Sequence, residues 1–592
     1  MEQASLEQRL CNRMRLWEFA DQYIIEPTDG GNCGLLSISR MDGALQSIGE
    51  MPVNHSSQRL RTQTIFGLAG IVKLFAGAYA LAITARECVG SYRGHPIFRV
   101  LDMRFLPCNS ALQKSTPQEK KAEDEFTKLL RTAEKTPGLY FSYDVDLTLN
   151  AQRSDSLKIE SKMLPLWKQA DTRFLWNKRM MQELIQCKLC PYILPIIQGS
   201  FQTFQTVLGK TNLNVSLIAR RCMHRTGTRM WRRGADSDGN VANFVESEQI
   251  LEANGYLASY VQVRGSIPLL WEQIVDLTYK PSFKLINPDD TALAAERHFS
   301  DLKKRYGSVI AIDLINQRGG EGLLSQAYAN AMQNLVNDEI KYVQFDFHRT
   351  CGHVHFECLS LLYEQILDDI KKQRYFLLNT TGEKVEEQTG VIRTNCIDCL
   401  DRTNVTQSML GRKSLETQLH QIEILQQSQN ISQHTSFDNL FKILWANHGD
   451  EISIQYSGTP ALKGDFVRYG QRSIQGILED GHHALARYYY NNFCDGLKQD
   501  AIDLVQGHYN LSREIKSPFQ TSGLEAVASF PLASVLVLAG IMLSTMSLRQ
   551  AKQDSRRFFF SAFWASLALG IMTFVRINGR LFCNRPRLQK QL

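Results

Sequence analysis

The chain has 592 residues, of which 21% are charged and 43% are hydrophobic, and its net charge is +7. This composition excludes a largely disordered protein and provides enough length for several domains. The modest positive charge permits an anionic membrane surface as a partner but does not indicate nucleic acid, and no zinc-finger or aromatic-basic RNA motif is present. The 13 cysteines follow no disulfide framework, which favours a reducing compartment.

Residues 1–185 are predicted to form an N-terminal subdomain rich in strands and turns. Within it, residues 65–84 are apolar enough to resemble a membrane span, but they contain Lys73 and three glycines. Glycine and β-branched residues suit buried strands that turn sharply. The segment therefore predicts two strands, at residues 71–75 and 78–84.

Residues 186–506 alternate helical runs with short apolar runs such as 308–314 and 341–347. This alternation predicts an α/β catalytic domain. Early in the domain, an arginine-rich segment allows two interpretations. It either lines a groove for an anionic headgroup, with Arg229 and Arg233 as candidate binding residues, or it forms structural ion pairs. The six arginines are Arg220, Arg221, Arg225, Arg229, Arg232 and Arg233.

The most informative segment is residues 391–405, VIRTNCIDCLDRTNV, in which five residues separate Cys396 from Arg402. An apolar run that resembles a strand end precedes it, and a helix-compatible run follows. A loop in this position wraps its backbone N–H groups around an anion at the helix N-terminus. The candidate contributors to substrate binding are Asn395, Ile397, Cys399 and Leu400.

These residue types can transfer phosphate without a metal. The helix N-terminus favours a Cys396 thiolate, the Thr403 hydroxyl can hydrogen-bond to it, and Arg402 can grip two phosphate oxygens. Thiolate attack would give a phosphocysteine, which water hydrolyses. The general acid is either Asp398 or Asp401. The competing interpretation is a structural cysteine at a helix start, with the arginine paired to an aspartate.

A zinc site made from Cys187, Cys190, Cys396 and Cys399 is rejected, because about 200 residues separate the two pairs and zinc would consume the nucleophile. His348 is interpreted as a core histidine. No metal or cofactor is expected.

Two runs near the C-terminus, residues 526–548 and 558–575, contain no charge and are long enough to cross a bilayer. They predict a transmembrane hairpin, preceded by a linker at 507–525 and followed by a cytosolic tail at 576–592. The alternative is a pair of buried core helices. The joining loop and the tail are similarly basic, so the positive-inside rule does not decide the topology.

The stretch CIDCLDRTN resembles the active-site loop of the Sac-domain phosphoinositide phosphatases. The resemblance extends over most of residues 1–500. Further matching blocks are WKQADTRFLWN at 167–177, the block at 229–248, YVQVRGSIPLLW at 260–271 and FDFH at 345–348.

With the C-terminal runs, the resemblance is to the membrane-anchored members of the endoplasmic reticulum. It implies a membrane-embedded hydrolase of phosphatidylinositol monophosphates, chiefly the 4-phosphate and also the 3-phosphate, with its catalytic domain in the cytosol. The Golgi membrane is a second location, and protein partners at membrane contact sites are possible. By analogy with myotubularin-like lipid phosphatases, Asp401 is the favoured acid, and Asp398 then orients water or holds the loop.

Two other functions compete with this prediction. One is a protein tyrosine phosphatase, which a deeper peptide-binding cleft would distinguish. The other is a lipid-binding membrane tether in which catalysis is secondary. The intact Cys396, Asp401 and Arg402 argue against a protein without activity.

Overall fold

The computed structural model describes most of the chain. The described residues are 10–29, 34–51, 61–74, 77–110, 115–279, 281–352, 358–469, 473–509, 519, 530–550 and 556–588.

A small antiparallel sheet forms the N-terminus, with strand order β4-β3-β2-β1-β5. Met14 and Leu16 are buried whereas Arg15 between them is exposed, which is the period-two pattern of a strand with one face on the core. Its strands are β1 (Met14–Glu18), β2 (Gln22–Pro27), β3 (Leu35–Ser39), β4 (Leu45–Ile48) and β5 (Arg61–Ile65).

A second, 13-stranded sheet runs through the molecule. Its main path has the order β17-β16-β20-β13-β12-β11-β10-β9-β8-β7-β6, and β18 and β19 extend from β13. The strands are β6 (Gly67–Lys73), β7 (Ala78–Tyr92), β8 (His95–Cys108), β9 (Leu139–Phe141), β10 (Ile197–Leu208), β11 (Thr211–Arg221), β12 (Val245–Ala253), β13 (Tyr256–Arg264), β16 (Ser308–Asp313), β17 (Ile340–Gln344), β18 (Phe376–Leu378), β19 (Lys384–Glu386) and β20 (Gly390–Asn395). A separate pair consists of β14 (Trp271–Gln273) and β15 (Phe283–Leu285).

The helices are more frequent in the second half of the chain. They are α1 (Pro117–Ala133), α2 (Ala151–Asp155), α3 (Ile159–Lys162), α4 (Leu166–Gln169), α5 (Gln182–Gln186), α6 (Pro288–Tyr306), α7 (Gly322–Gln333), α8 (Phe347–Cys351), α9 (Leu359–Gln373), α10 (Asp401–Gln421), α11 (Thr435–Ser457), α12 (Gly464–Tyr469), α13 (Ile474–Phe493), α14 (Asp495–Gln506), α15 (Phe530–Gln550), α16 (Arg556–Ile577) and α17 (Gly579–Phe582). Single 3₁₀ turns lie at Cys190–Tyr192, Gly319–Glu321 and Ile431–Gln433.

The parallel part of the large sheet positions the site. Strand β20 pairs in parallel with both β13 and β16, and β16 pairs in parallel with β17. Both faces of β16 are covered: Val309 and Ala311 belong to one hydrophobic cluster, while Ile310 and Ile312 belong to another. This is the burial expected of a parallel strand between helical layers, and the loop after β20 therefore lies at the carboxyl edge of the sheet.

Several predictions about the elements are confirmed. The apolar segment at 65–84 contributes two paired antiparallel strands, β6 and β7, although β6 spans Gly67–Lys73 and not the predicted 71–75. The runs at 308–314 and 341–347 correspond to β16 and β17, and the mixed α/β class is correct. The large sheet continues across residues 185 and 186, because β9 pairs with β10, so the two predicted domains share one sheet.

Helices α15 and α16 form the predicted C-terminal hairpin and are 21 and 22 residues long. Both are long and apolar enough to cross a bilayer. Only 6% and 11% of the residues in their most apolar 18-residue stretches are buried. The alternative of buried core helices therefore does not fit. Residues 526–529 of the first predicted span, and 551–555 of the joining loop, lie outside the described residues.

The chain that follows the hairpin returns to the body of the protein. Asn584 N donates to the Asn492 carbonyl over 2.7 Å, and the N–H groups of Arg587 and Leu588 donate to Asp500 over 2.8 and 3.1 Å. Leu588 is buried. The described tail is therefore docked on α13 and α14.

Of the predicted linker at 507–525, only residues 507–509 and 519 are described. Phe519 packs on Phe126 with ring centroids 5.1 Å apart and pairs with Leu588. The remaining linker residues and residues 589–592 of the tail lie outside the described part of the chain.

Candidate active site

The loop that carries the candidate nucleophile joins the end of β20 to the start of α10, as the sequence predicts. Cys396 is 2% exposed, and the N–H of Cys399 donates to its Sγ over 3.1 Å. Cys399 has φ 55°, a left-handed conformation that few residues other than glycine adopt. This conformation accompanies the turn of its N–H back toward the sulfur.

The surroundings of Cys396 favour its thiolate. Burial opposes ionisation, but the hydrogen bond from Cys399, the charge of Arg402 and the buried Thr403 hydroxyl outweigh it and lower the pKa of the thiol to about 5. Burial and the neighbouring Cys396 raise the pKa of Cys399 well above its usual value. The loop therefore contains one thiolate and one neutral thiol near neutral pH.

The two acids of the loop lie in different environments. Asp398 forms ion pairs with Arg229 at 2.7 Å and with Arg233 at 2.6 Å. Desolvation opposes its ionisation, yet the two guanidinium groups hold its pKa far below the usual range. This carboxyl group has no proton to donate at any working pH.

Asp401 is in the opposite state. Its Oδ1 accepts a hydrogen bond from the Leu462 backbone N–H over 2.9 Å. Desolvation raises the pKa of Asp401 to about 6, and the negative charges of Cys396 and Asp398 add to the effect against the attraction of Arg487. A carboxyl group with such a pKa is protonated often enough to act as a general acid.

Arg402 is held beside the loop by a carboxylate that the sequence did not reveal. Its Nη1 and Nη2 donate to the two carboxylate oxygens of Glu321 over 3.1 and 3.2 Å. Nη1 also donates to the Leu314 carbonyl over 3.1 Å and to Asn316 Oδ1 over 3.3 Å. These contacts fix the guanidinium plane at the carboxyl edge of the sheet, next to Cys396.

A cavity of about 200 Å³ opens over the loop. Its wall includes Cys396, Asp401 and Arg402, together with His348 and Lys463 from other segments. His348 is exposed, so the interpretation of it as a core histidine is wrong. Its place at the start of α8, after the carboxyl end of β17, turns it outward toward the cavity.

Only some of the candidate substrate-binding residues of the loop line the cavity. Ile397 and Leu400 line the cavity, whereas the Asn395 side chain is engaged with Asp313 and Arg393 at 2.6 Å each. Such a placement gives Asn395 a role in holding the end of β20.

The arginine-rich segment is mainly structural. Arg229 and Arg233 are not among the residues that line the cavity, and Arg233 also donates to the Ile397 carbonyl over 3.2 Å. Arg220 is buried between Glu246 and Glu248, and Arg232 pairs with Asp503. Of the two interpretations of the segment, ion pairing is the one that these contacts support.

A buried arginine from β13 also approaches the loop. Arg264 is fully buried, and its Nε and Nη1 have no hydrogen-bond partner among the described residues. Desolvation lowers the pKa of Arg264 to about 10, although the charges of Cys399 and Cys396 oppose this shift. The signal for it was present in the block YVQVRGSIPLLW, but the sequence alone did not distinguish its single arginine from a structural one.

In the described part of the chain, no three His, Cys, Asp or Glu side chains are grouped so that they could hold a metal ion. Arg402 and Arg264 lie close to Cys396, and the planar N–H groups of a guanidinium suit phosphate oxygens.

Comparison with known proteins identifies the family of the chain. A SacI homology domain model matches residues 66–352. Phosphoinositide phosphatase SAC7 of Arabidopsis thaliana is 56% identical over 594 residues, covering 100% of both chains. Phosphatidylinositol-3-phosphatase SAC1-B of Danio rerio is 34% identical over 98% of both chains, and SAC1 of Saccharomyces cerevisiae is 32% identical over 94% of this chain and 90% of the relative.

These relatives define the class of the enzyme, which is that of the phosphoric monoester hydrolases. The chain belongs to the family of Sac-domain phosphoinositide phosphatases. The family resemblance inferred from the sequence motifs is thereby confirmed.

Proposed function

We propose that the protein hydrolyses phosphatidylinositol monophosphates through a phosphocysteine at Cys396. One observation carries this proposal: within one short loop, a thiolate with a pKa near 5 lies beside an arginine fork and a carboxyl group with a pKa near 6. Nucleophile, phosphate ligand and proton donor are the three groups that cleavage of a phosphate ester needs.

In the first step, the Cys396 sulfur attacks phosphorus and the bond to the inositol oxygen breaks. Arg402 and the loop N–H groups stabilise the charge on the phosphoryl oxygens, and the proton of Asp401 passes to the leaving oxygen. In the second step, the ionised Asp401 takes a proton from water, which attacks phosphorus and displaces the thiolate. Inorganic phosphate leaves, and the enzyme regains its thiolate and its protonated acid.

The roles of the remaining loop residues follow from their contacts. Thr403 supports the thiolate, and Asp398 holds the loop by joining it to Arg229 and Arg233. Because these arginines neutralise Asp398, we assign them to positioning the loop and not to gripping the headgroup.

We propose the 4-phosphate as the chief substrate and the 3-phosphate as a second one. The cavity supports a singly phosphorylated ring, because its volume is only about 200 Å³. The names of the SAC1 relatives support the 3-phosphate. The preference for the 4-phosphate rests on the family resemblance.

We also propose that α15 and α16 cross the endoplasmic reticulum membrane as a hairpin, with the Golgi membrane as a second location and the catalytic domain in the cytosol. Two observations support the hairpin: both helices are apolar and exposed, and the tail that follows α16 hydrogen-bonds to α13 and α14. A chain that returns to the same domain after the second helix has crossed an even number of times.

The test is phosphate release by the full-length protein in detergent from a panel of phosphoinositides, with and without EDTA. We expect release from the 4-phosphate, less from the 3-phosphate, and no effect of the chelator, because arginine and backbone N–H groups bind the phosphate. Inactivation by EDTA that zinc or magnesium reverses would contradict the mechanism. Turnover of phosphotyrosine peptides but not of lipids would instead favour a protein tyrosine phosphatase.

A further inference from the structure

Helix α13 carries its apolar residues on the outside. Six of its large apolar residues are exposed, and five of these share one face: Ile474, Ile477, Leu478, Leu485 and Tyr489. With about 100° per residue, they fall within an arc of roughly 120°. We call this surface the apolar stripe. Leu478 and Leu485 are 70% and 72% exposed, which is unusual for leucines aligned on one helix face.

The inward face of the same helix is polar and supports the site. Arg487 is buried and donates to Thr459 Oγ1 and the Pro460 carbonyl, both over 3.0 Å. Asp480 accepts from the Lys463 N–H over 2.9 Å. The segment at 459–464 that these contacts hold provides part of the cavity wall and the N–H group bound to Asp401.

The last turn of α13 adjoins both proposed membrane helices. Tyr489 packs on Phe493 with ring centroids 5.5 Å apart, and Phe493 packs on Phe530, the first residue of α15, at 5.1 Å. In the segment that follows α16, Cys583 Sγ donates to Oδ1 of Asn492 in α13 over 3.6 Å. The stripe is therefore continuous with the point where the hairpin leaves the catalytic domain.

We propose that the apolar stripe of α13 lies in the interfacial region of the same bilayer that α15 and α16 cross, with lipid acyl chains as its partner. This inference rests on the proposed membrane anchoring. The stripe has no charged side chain, so burial of apolar surface drives its contact with lipid. Because the inward face of α13 supports the cavity wall, the contact holds the active site at the surface of its own membrane.

The first test is a Leu478→Gln, Leu485→Gln double variant of the full-length protein in phosphatidylcholine vesicles. Against phosphatidylinositol 4-phosphate in the same vesicles, we expect activity at least fivefold below wild type, and the ratio should not change at high salt because the contact is uncharged. Against a short-chain, water-dispersed phosphoinositide, activity should equal that of wild type. The matched control is the Val207→Gln, Leu361→Gln double variant. It makes the same change at two exposed aliphatic residues outside the stripe, which are 61% and 56% exposed.

Unchanged activity on vesicle lipid would overturn the proposal. An equal loss on both substrates would also overturn it, since the stripe would then support the fold or the catalytic groups. Absence of wild-type activity on the short-chain substrate would contradict the proposed phosphatase instead, and release of the protein by carbonate would contradict the proposed anchor.

A second measurement identifies the partner directly. A photoreactive phenylalanine analogue at position 478 should form adducts with phospholipid in the vesicles, and the same analogue at position 207 should not. Adducts at 478 only with another protein chain would show that the stripe is an interface between copies, and would overturn the membrane assignment.

Discussion

The carboxylate of Asp398 lies 2.6 Å from the guanidinium group of Arg233. With Arg229 on its other oxygen, this ion pair keeps Asp398 ionised, whereas desolvation raises the pKa of Asp401 to about 6. The loop residues alone left both acids open, and only the analogy with other lipid phosphatases favoured Asp401. In the structure, the two acids hold opposite proton states in mildly acidic solution.

We expect Asp401→Asn to slow phosphocysteine formation from lipid substrates by at least about 100-fold, within the range usual for loss of a general acid. Formation from an activated aryl phosphate should fall much less, because a good leaving group needs no proton. Single-turnover kinetics with both substrates measure the contrast.

The matched control is Asp398→Asn in the same loop. It should reduce both reactions alike and lower the thermal unfolding midpoint, because it leaves the buried Arg233 without a counter-charge. The reverse pattern would assign the acid to Asp398, and the absence of contrast in both variants would place the acid outside the loop.

The pH dependence of kcat/KM should be bell-shaped. As pH rises through about 5, Cys396 loses its proton and the nucleophile forms, so activity increases. As pH rises through about 6, Asp401 loses its proton and the acid disappears, so activity with lipid falls. Asp401→Asn, or an aryl phosphate substrate, should remove the alkaline fall. Constant activity with lipid up to pH 9 would contradict the assignment.

Arg402→Lys should lower kcat/KM by at least about 100-fold, or about 2.7 kcal/mol of barrier, because an ammonium group cannot hold Glu321 and the phosphate oxygens together as the five N–H donors of a guanidinium group can. The control is Arg412→Lys in the same helix. Arg412 pairs with Asp438 and does not line the cavity, so this variant should retain wild-type activity within about twofold. If Arg402→Lys kept more than a tenth of wild-type activity, the fork would not be the phosphate ligand.

The docked tail predicts the topology of the hairpin. The side chains of Cys583 and Asn492 adjoin, with Sγ 3.6 Å from Oδ1. The Asn492→Cys variant should therefore form a disulfide with Cys583 under mild oxidation in intact membranes, whereas Val207→Cys should not. Tags at the two termini should be cleaved together by external protease. A protected C-terminal tag with a cleaved N-terminal tag would contradict two membrane crossings.

Local sequence signals predicted the loop well. The apolar run of β20, the short loop and the helix-compatible run after Arg402 are neighbours in the chain, so their order alone indicates the strand, loop and helix around Cys396. The pair of C-terminal helices was predicted equally well, because an uncharged apolar run of about 18 residues or more is typical of a helix that crosses a bilayer.

Contacts between distant segments could not be predicted. Glu321 binds Arg402 from 81 residues away, and Asp398 meets Arg229 from 169 residues away. Nothing in the local pattern indicates which arginine a carboxylate will meet after folding. The pKa shift of Asp398 depends on such contacts, so the residues of the loop did not decide between the two acids and only the analogy favoured Asp401.

The exposure of the apolar stripe was likewise invisible in the sequence. The spacing of Ile474, Leu478 and Leu485 is that of a helix with one buried apolar face. In the structure, the buried face instead carries Arg487, because that side chain supports the segment beside Asp401. Which face of a helix is buried depends on the tertiary packing around it.

During turnover, the phosphoryl group should reside on the sulfur of Cys396. The Asp401→Asn variant should accumulate this intermediate with an aryl phosphate, because the leaving group departs without acid catalysis while hydrolysis lacks its base. After rapid quenching, mass spectrometry of the peptides should find a single phosphoryl group on Cys396, and none in a variant that also carries Cys396→Ser. Absence of the phosphocysteine, or a phosphoryl group on another residue, would contradict the mechanism.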